Sequence, residues 1–224
     1  MHLGADSAGI GGNYPIVSQY YDSPDRDCYW EKLRRLKSRR KIRIRMYGSD
    51  RAAIPPAAFV EIKHKLFGAG GKRRLQVSAD VASGFVAGDQ ELLRDMVPEI
   101  GRSGRMIIAE IFDLVERYGH VPSMQIRYDR CAYTTEDGKF RVTFDSDLLC
   151  RHGKYPLRSA DTTFVDQVLD PSQVMMEVKS VGSVPYWFRG WIAKSGLVRE
   201  SFSKYCTSLE RHDPVLRSML RANA

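Results

Sequence analysis

The chain has few cysteines, and none of them are grouped. Cys28, Cys131, Cys150 and Cys206 form no CxxC pair and no Cys/His cluster, which argues against a zinc ribbon and a disulfide framework. Isolated thiols of this kind read as small buried or half-buried residues of a reducing cytosol, so a cytoplasmic location is expected. Also missing are a GxxxxGK[ST] phosphate loop, a GxGxxG after a strand, an HExxH and a GxSxG, which removes the common nucleotide-loop, zinc-hydrolase and serine-hydrolase chemistries. His2, His64, His120, His152 and His212 are dispersed and read as surface or loop residues. The most apolar run near a helix, Met106-Ile107-Ile108-Ala109, is interrupted by Glu110, too short to span a membrane. Met1 to Asn13 is rich in Gly and Ala without a basic start and an apolar run, so it does not read as a signal peptide.

What is present is positive charge. The 224 residues carry a net charge of +8, with 43% hydrophobic and 28% charged residues. Those proportions are those of a globular protein of one ordinary domain. The cationic balance implies an anionic partner: nucleic acid, phosphorylated metabolite, polyphosphate or acidic membrane. Net charge does not choose among them.

The arrangement of the charge says more. In Lys41-Ile42-Arg43-Ile44-Arg45-Met46-Tyr47-Gly48 an extended strand would project Lys41, Arg43 and Arg45 to one face and Ile42, Ile44 and Met46 to the other. Arg39 continues the row upstream, and no acid interrupts it. Like charges this close repel, so the row needs water or an anion. A solvated outer face would account for one such strand, but the pattern recurs. Glu61, Lys63 and Lys65 alternate with Val60 and Ile62. Lys72 and Arg74 sit two apart. Arg141, Thr143 and Asp145 alternate with Val142 and Phe144, and Glu177 and Lys179 with Met176 and Val178. A sheet curling its charged faces inward, with helices over its apolar outside, would make a polar tunnel suited to a long polyanion.

The expected organisation is an irregular Gly-rich lead-in over residues 1–14, one domain over 15–211 and a tail over 212–224. Strands are predicted at Ile16–Tyr21, 39–47, 58–66, 72–78, 122–133, 140–147 and 173–180. Cys28–Leu36 is a short helix or strand. A loop spans Gly48–Pro56, since Pro55 and Pro56 exclude a central strand. Helices are predicted at Ser78–Val86, Gln90–Met96, Ser103–Tyr118 and Pro185–Lys194, and Ser203–Arg211 ends the ordered part. Ile107, Ile108, Ile111, Phe112 and Val115 form a core stripe, and Gly119 closes that helix. Hairpins with a helical insert fit α+β.

The chemistry available is Arg and Lys with a few carboxylates. That set suits phosphoryl transfer, where the protein positions oxygens and stabilises spreading negative charge. Arg offers a planar fork for phosphate and Lys a point charge. A hard cation, Mg²⁺ or Mn²⁺, needs carboxylate oxygens, which Glu177 or Glu61 could supply.

Seven strings occur in an order that resembles the VTC domain, the polyphosphate polymerase domain of the triphosphate tunnel (CYTH-like) superfamily. They are Tyr20-Tyr21-Asp22-Ser23-Pro24, Lys41 to Gly48, Phe59-Val60-Glu61-Ile62-Lys63, Arg127-Tyr128-Asp129-Arg130, Arg141 to Asp145, Met176-Glu177-Val178-Lys179 and Ser201-Phe202-Ser203-Lys204-Tyr205. The resemblance implies an antiparallel β-barrel tunnel with covering helices that moves the terminal phosphoryl group of ATP onto polyphosphate with Mn²⁺ or a similar metal. It assigns Lys41, Arg43, Arg45 and Lys204 to catalysis. Lys63, Lys72, Arg130, Arg141, Lys179 and Ser203 go to phosphate binding, and Glu177 to the metal. Arg130 has the opposite parity to Arg127, so the tunnel role asks for a bulge or a different strand phase there. Two departures stand out. Ser201 occupies a position that is basic in some members, and nothing in Met1 to Tyr14 matches the family's first Glu-x-Lys strand, so an open seam is expected.

Three functional readings remain open beside the transferase. One is a tunnel triphosphatase acting on inorganic triphosphate, another a non-catalytic polyphosphate-binding module, and the third a nucleic-acid binder. The last would require aromatics interleaved with the bases, whereas the strong rows alternate bases with aliphatics.

Overall fold

Ile42, Ile44 and Met46 are fully or almost fully buried on one face of a ten-residue strand, and the cations between them take the opposite face. The computed structural model describes residues 3–6, 11–48, 57–158, 161 and 163–222. Its strands are β1 (Leu3–Ala5), β2 (Asn13–Asp22), β3 (Ser38–Tyr47), β4 (Ala57–Leu66), β5 (Ala69–Val77), β6 (Val121–Thr135), β7 (Phe140–His152), β8 (Asp166–Gln167) and β9 (Met175–Ser180). They form one antiparallel sheet in the order β5-β4-β3-β2-β6-β7-β8, with β1 added to β6 and β9 to β7.

The outer face is apolar and helix-covered. Ile42, Ile44, Met46, Val60 and Ile62 pack under α2 (Ala79–Ala87), α3 (Glu91–Arg94) and α4 (Arg102–Phe112), through Phe85, Leu93, Ile107, Ile108 and Ile111. Ser78 starts α2 by accepting a hydrogen bond from Val81 N at 3.2 Å. Val142 and Phe140 pack on Phe188 of α5 (Tyr186–Lys194). Inside the curl, α1 (Asp27–Leu33), α6 (Lys204–His212) and α7 (Pro214–Ala222) close a second core with Tyr14, Ile16, Tyr20, Met124, Ile126 and Tyr128.

Asp22 ties these inner helices to β2. Its carboxylate accepts from Cys28 N at 2.8 Å and Tyr29 N at 3.2 Å, which serves the unpaired first-turn amides of α1. It also accepts from Tyr205 Oη of α6 at 2.5 Å. The Tyr-Asp-Ser-Pro string therefore ties both α1 and α6 to the end of β2.

Several expectations need correction. The closed barrel is not found: among the described residues no ladder joins β5 to β9, and the sheet is open, in line with the expected seam. Residues 1–14 are not wholly irregular, because Leu3–Ala5 pairs with Tyr133–Thr135 and β2 already starts at Asn13. Residues 212–224 include the helix α7, whose Leu216 is buried in the second core. The short β8 was not expected. Helix α4 continues as a π-helical turn over Asp113–Arg117 before Gly119 at φ +65°. Of the loop Gly48–Pro56, all but Gly48 lies outside the described residues.

No helix among the described residues is long and apolar enough to cross a membrane. The thiols of Cys28, Cys150 and Cys206 are buried and free.

The outer core should dominate stability. Replacing the fully buried Ile62 by alanine removes packing under α4 and should cost about 2–5 kcal/mol. Urea unfolding should show a lowered midpoint with an unchanged slope, whereas an unaltered midpoint would mean that β4 contributes little to the core.

Candidate functional site

The register decides which side chains meet. Across the ladders Tyr20 lies opposite Arg43, Arg43 opposite Glu61 and Glu61 opposite Arg74, while Lys41 faces Lys63 and Lys63 faces Lys72. On the other half Tyr14 pairs with Arg130, Arg130 with Asp145, Thr143 with Glu177 and Arg141 with Lys179. Directly opposed residues share a face, so these groups all point to the inner side. α6 links the two halves of the inner face: Lys204 Nζ reaches Asp145 of β7 and Met175 of β9, while its neighbour Tyr205 lies against Tyr20 of β2 and Lys41 of β3. The inner face thus forms a trough around the start of α6, in which the cations converge.

Arg130 enters the trough by plain alternation: β6 holds one register against β2 from Cys131 to Met124, so Met124, Ile126, Tyr128 and Arg130 share the inner face. The strand phase, not a bulge in β6, answers the parity question; the register shift beside it lies on β7, where Asp147 and Leu148 stand opposite Tyr128 alone. Arg127 lies outside the row and holds Asp129 at 3.2 Å.

Two buried carboxylates organise the floor. Glu61 receives Arg43 Nε at 2.8 Å and Nη2 at 2.5 Å, with Lys72 Nζ at 3.4 Å. Burial pushes its carboxyl up, but Arg43, Arg45 and Lys72 hold it below the usual range. Asp145 accepts Arg130 Nε at 2.7 Å and Nη2 at 2.9 Å, and Lys204 Nζ at 2.6 Å. It too is held low against its burial by Arg130 and Lys204. For Lys204, burial outweighs Asp145 and moves the ammonium down. Arg141 pairs with Asp6 and donates to Tyr14 Oη at 3.1 Å.

The remaining cations are less committed. Arg45 is 6% exposed and, among the described residues, donates to hydroxyls, Ser18 Oγ at 3.1 Å and Tyr47 Oη at 3.4 Å. Lys41 lies over the rings of Tyr20 and Tyr205 at 5.7 and 5.2 Å. Exposed Lys63 has its pKa lowered by partial burial and by Lys41 and Arg43. Glu177 is half exposed, 3.4 Å from Lys179 and 4.0 Å from Arg130. Ser203 caps α6, accepting from Cys206 N at 3.4 Å. Among the described residues no three His, Cys, Asp or Glu side chains cluster as a ready metal cage.

Residues 2–212 match the family model of the VTC domain. The chain belongs to the VTC-domain family. No curated protein matches it.

In this VTC domain the sequence rows do not single out the aromatic floor. Tyr128 Oη and Thr143 Oγ1 are buried without a hydrogen-bond partner among the described residues. Tyr128 lies beneath Lys204 and Arg130, at 4.6 and 5.4 Å from its ring. Buried hydroxyls are seldom left unpaired. Their parity with Arg130 and Asp145 was visible in the sequence, but tyrosine in a strand is also an ordinary core residue.

Tyr20 is shifted strongly downward. Burial raises its phenol, yet Arg43, Arg45 and Lys41 together pull it down to about 7. Arg43 Nη1 lies 3.5 Å from its oxygen, and Tyr205 stacks on it at 5.5 Å. With the folded pKa below the ordinary 10.0, the stability contribution is full above pH 10 and is lost as pH falls through about 7. Ultraviolet titration should show one tyrosine ionising near neutrality that is missing in Tyr20→Phe. Ordinary alkaline titration of every tyrosine would refute this.

Glu61→Gln should destabilise by about 3–5 kcal/mol, since Arg43 would be left buried against a neutral amide. Unfolding titrations of this variant beside Glu177→Gln, where the carboxylate is half exposed, should show a much smaller loss for the latter.

Proposed function

We propose that this domain holds a polyphosphate chain in the trough and transfers the terminal phosphoryl group of ATP to it. The observation that carries the reading is the convergence of cations from β3, β4, β5, β6, β7, β9 and α6 on one inner face. Among the described residues, several of them are left without carboxylate partners. In the transfer, the bond from the terminal phosphorus to the bridging oxygen breaks, and an end oxygen of the chain forms the new P–O–P link. ADP leaves, and no net proton is needed.

The residues divide by how free they are. Lys41, Arg45 and Lys63 are available to phosphate oxygens. Tyr128 and Thr143 would donate their unpaired hydroxyls to the same oxygens. Arg43, Lys72, Arg130 and Lys204 are aligned by Glu61 and Asp145, so they present fixed positive charge as the phosphoryl group moves. Arg141 and Lys179 extend the cationic surface along β7 and β9. Ser203 sets the first turn of α6 and thereby the position of Lys204.

Glu61 and Asp145 are saturated by cations, which leaves Glu177 as the carboxylate that suits a divalent metal. Mg²⁺ and Mn²⁺ are commonly held by one or two carboxylates plus substrate phosphates, so this donor set fits such an ion. Its chemistry there would be neutralisation of charge on the phosphate oxygens.

One observation favours hydrolysis of inorganic triphosphate as the second reading. The sheet is open between β5 and β9, which gives water a route to a terminal phosphate. Incubation of the purified protein with ATP and Mn²⁺ should lengthen polyphosphate. Release of orthophosphate from tripolyphosphate without lengthening would favour the hydrolase, and binding without either product a non-catalytic module.

Arg45→Ala should weaken tripolyphosphate binding by about 1.5–3 kcal/mol, the scale of a hydrogen bond to a charged group. Isothermal calorimetry would read it, and an unchanged affinity would remove Arg45 from the site. For Glu177→Gln, metal-dependent turnover should fall while metal-free binding persists or tightens. Full turnover at ordinary Mn²⁺ would take Glu177 off the ligand set.

A further inference from the structure

The cationic row does not stop inside the trough. Arg39, two residues before Lys41 on β3, faces Lys65 of β4. Both line a surface groove of about 580 Å³ together with Lys32, Arg35, Lys37, Phe67 and Ser201. Among the described residues no carboxylate lines it. Arg39 is held in place by the end of α1, donating to Glu31 O at 3.4 Å and Lys32 O at 3.3 Å. Lys32 Nζ lies 3.5 Å from Ser201 Oγ, which brings the segment before α6 to the same rim.

Two residues here occupy backbone conformations that disfavour their side chains. Arg35 has φ +55° and Phe67 φ +46°, where glycine would be the relaxed choice. Phe67 is also 77% exposed. Both conformations belong to chain reversals: Arg35 ends α1, with Arg35 N and Leu36 N donating back to Lys32 O and Glu31 O, and Phe67-Gly68 is the two-residue turn of the β4–β5 hairpin. The two reversals present a long basic side chain and an exposed aromatic at one groove.

We propose that this groove is a second polyanion site, which takes the part of a polyphosphate chain that extends beyond the trough. The idea rests on the trough reading. Arg39 belongs to both the groove and the row of Lys41, Arg43 and Arg45, so one extended chain can follow β3 from inside to outside. A tripolyphosphate occupies the trough alone, whereas a long chain spans both and gains from the higher effective concentration of the second contact.

The test uses Arg35→Gly/Lys37→Ala/Lys65→Ala. Glycine at 35 relieves the left-handed backbone, and the other two side chains are exposed, so the fold should survive. Circular dichroism and the urea midpoint would verify this. Affinity for long-chain polyphosphate should fall about tenfold, with a log–log salt slope shallower by about two, as for loss of three cations on a single-stranded polyanion. Affinity for tripolyphosphate should not change. Equal loss for both ligands, or no loss for either, overturns the groove as a separate site. If wild-type protein binds long chains through these residues but does not bind tripolyphosphate, the groove stands and the trough reading falls. If single-stranded RNA of equal charge binds the wild type more tightly than long polyphosphate and loses affinity in the same variant, the site is for nucleic acid and the proposal is wrong.

Discussion

Two buried carboxylates make the rest of the structure possible. Lys41, Arg43 and Arg45 lie on one strand face about 6.8 Å apart, and two unit charges at that spacing repel by about 2.4 kcal/mol in a partly wet cleft with an effective dielectric near 20. Curling the sheet adds Lys63, Lys72, Arg130 and Lys204 to the same space. Glu61 and Asp145 answer this from opposite walls, each holding two cations. The apolar outside supplies the remaining drive. Burial of Ile42, Ile44, Met46, Val60 and Ile62, at about 1.5–3 kcal/mol each, outweighs the repulsion left over.

This division of labour explains why the carboxylates are not interchangeable. Glu61 and Asp145 are fully buried, where an unpaired cation would be most costly. Glu177 is half exposed, so its charge is not required to hold the fold and is available for another use. The tyrosines complete the floor. Tyr20 accepts a hydrogen bond from Arg43 at 3.5 Å, and Tyr128 lays its ring beside Arg45, Arg130 and Lys204. The ionisation of Tyr20 is set by the same charges that would bind an anion. A bound polyanion competes for those charges and must raise the pKa of Tyr20, so anion binding and proton uptake are linked in both directions.

The strands with strict alternation were legible in the sequence because one face is buried and the other charged, which leaves little choice of register. β3, β4 and β9 fall where the pattern puts them within a few residues, and so does the stripe of α4. The misses share a physical cause. β1 and β8 are three and two residues long, too short for any period to show. α7 is anchored by Leu216, whose burial depends on a core assembled from distant elements. Arg130 conflicts with a row phased on Arg127 because the inner row of β6 runs through Met124, Ile126, Tyr128 and Arg130, and Arg127 is the residue that points outward. Closure was inferred from family likeness and from charged faces wanting to turn inward. Alternation fixes which face is concave but not whether the last two strands meet.

The state of pairing along the trough also orders the groups in the proposed binding. Arg43 and Arg130 are bidentate to buried acids and have the most to lose by turning toward a new partner. Lys41 and Lys63 lie nearer water, without carboxylates of their own among the described residues, so an anion meets them without breaking an ion pair. Arg45 comes between: deeply buried, yet bonded to hydroxyls that a phosphate oxygen can replace. A polyanion would thus engage the lysines first and Arg45 next, leaving the Glu61 and Asp145 pairs intact beneath it. The pairs that hold the apo trough together are then the same ones that keep it rigid when loaded, and only the weaker hydroxyl contacts need to exchange.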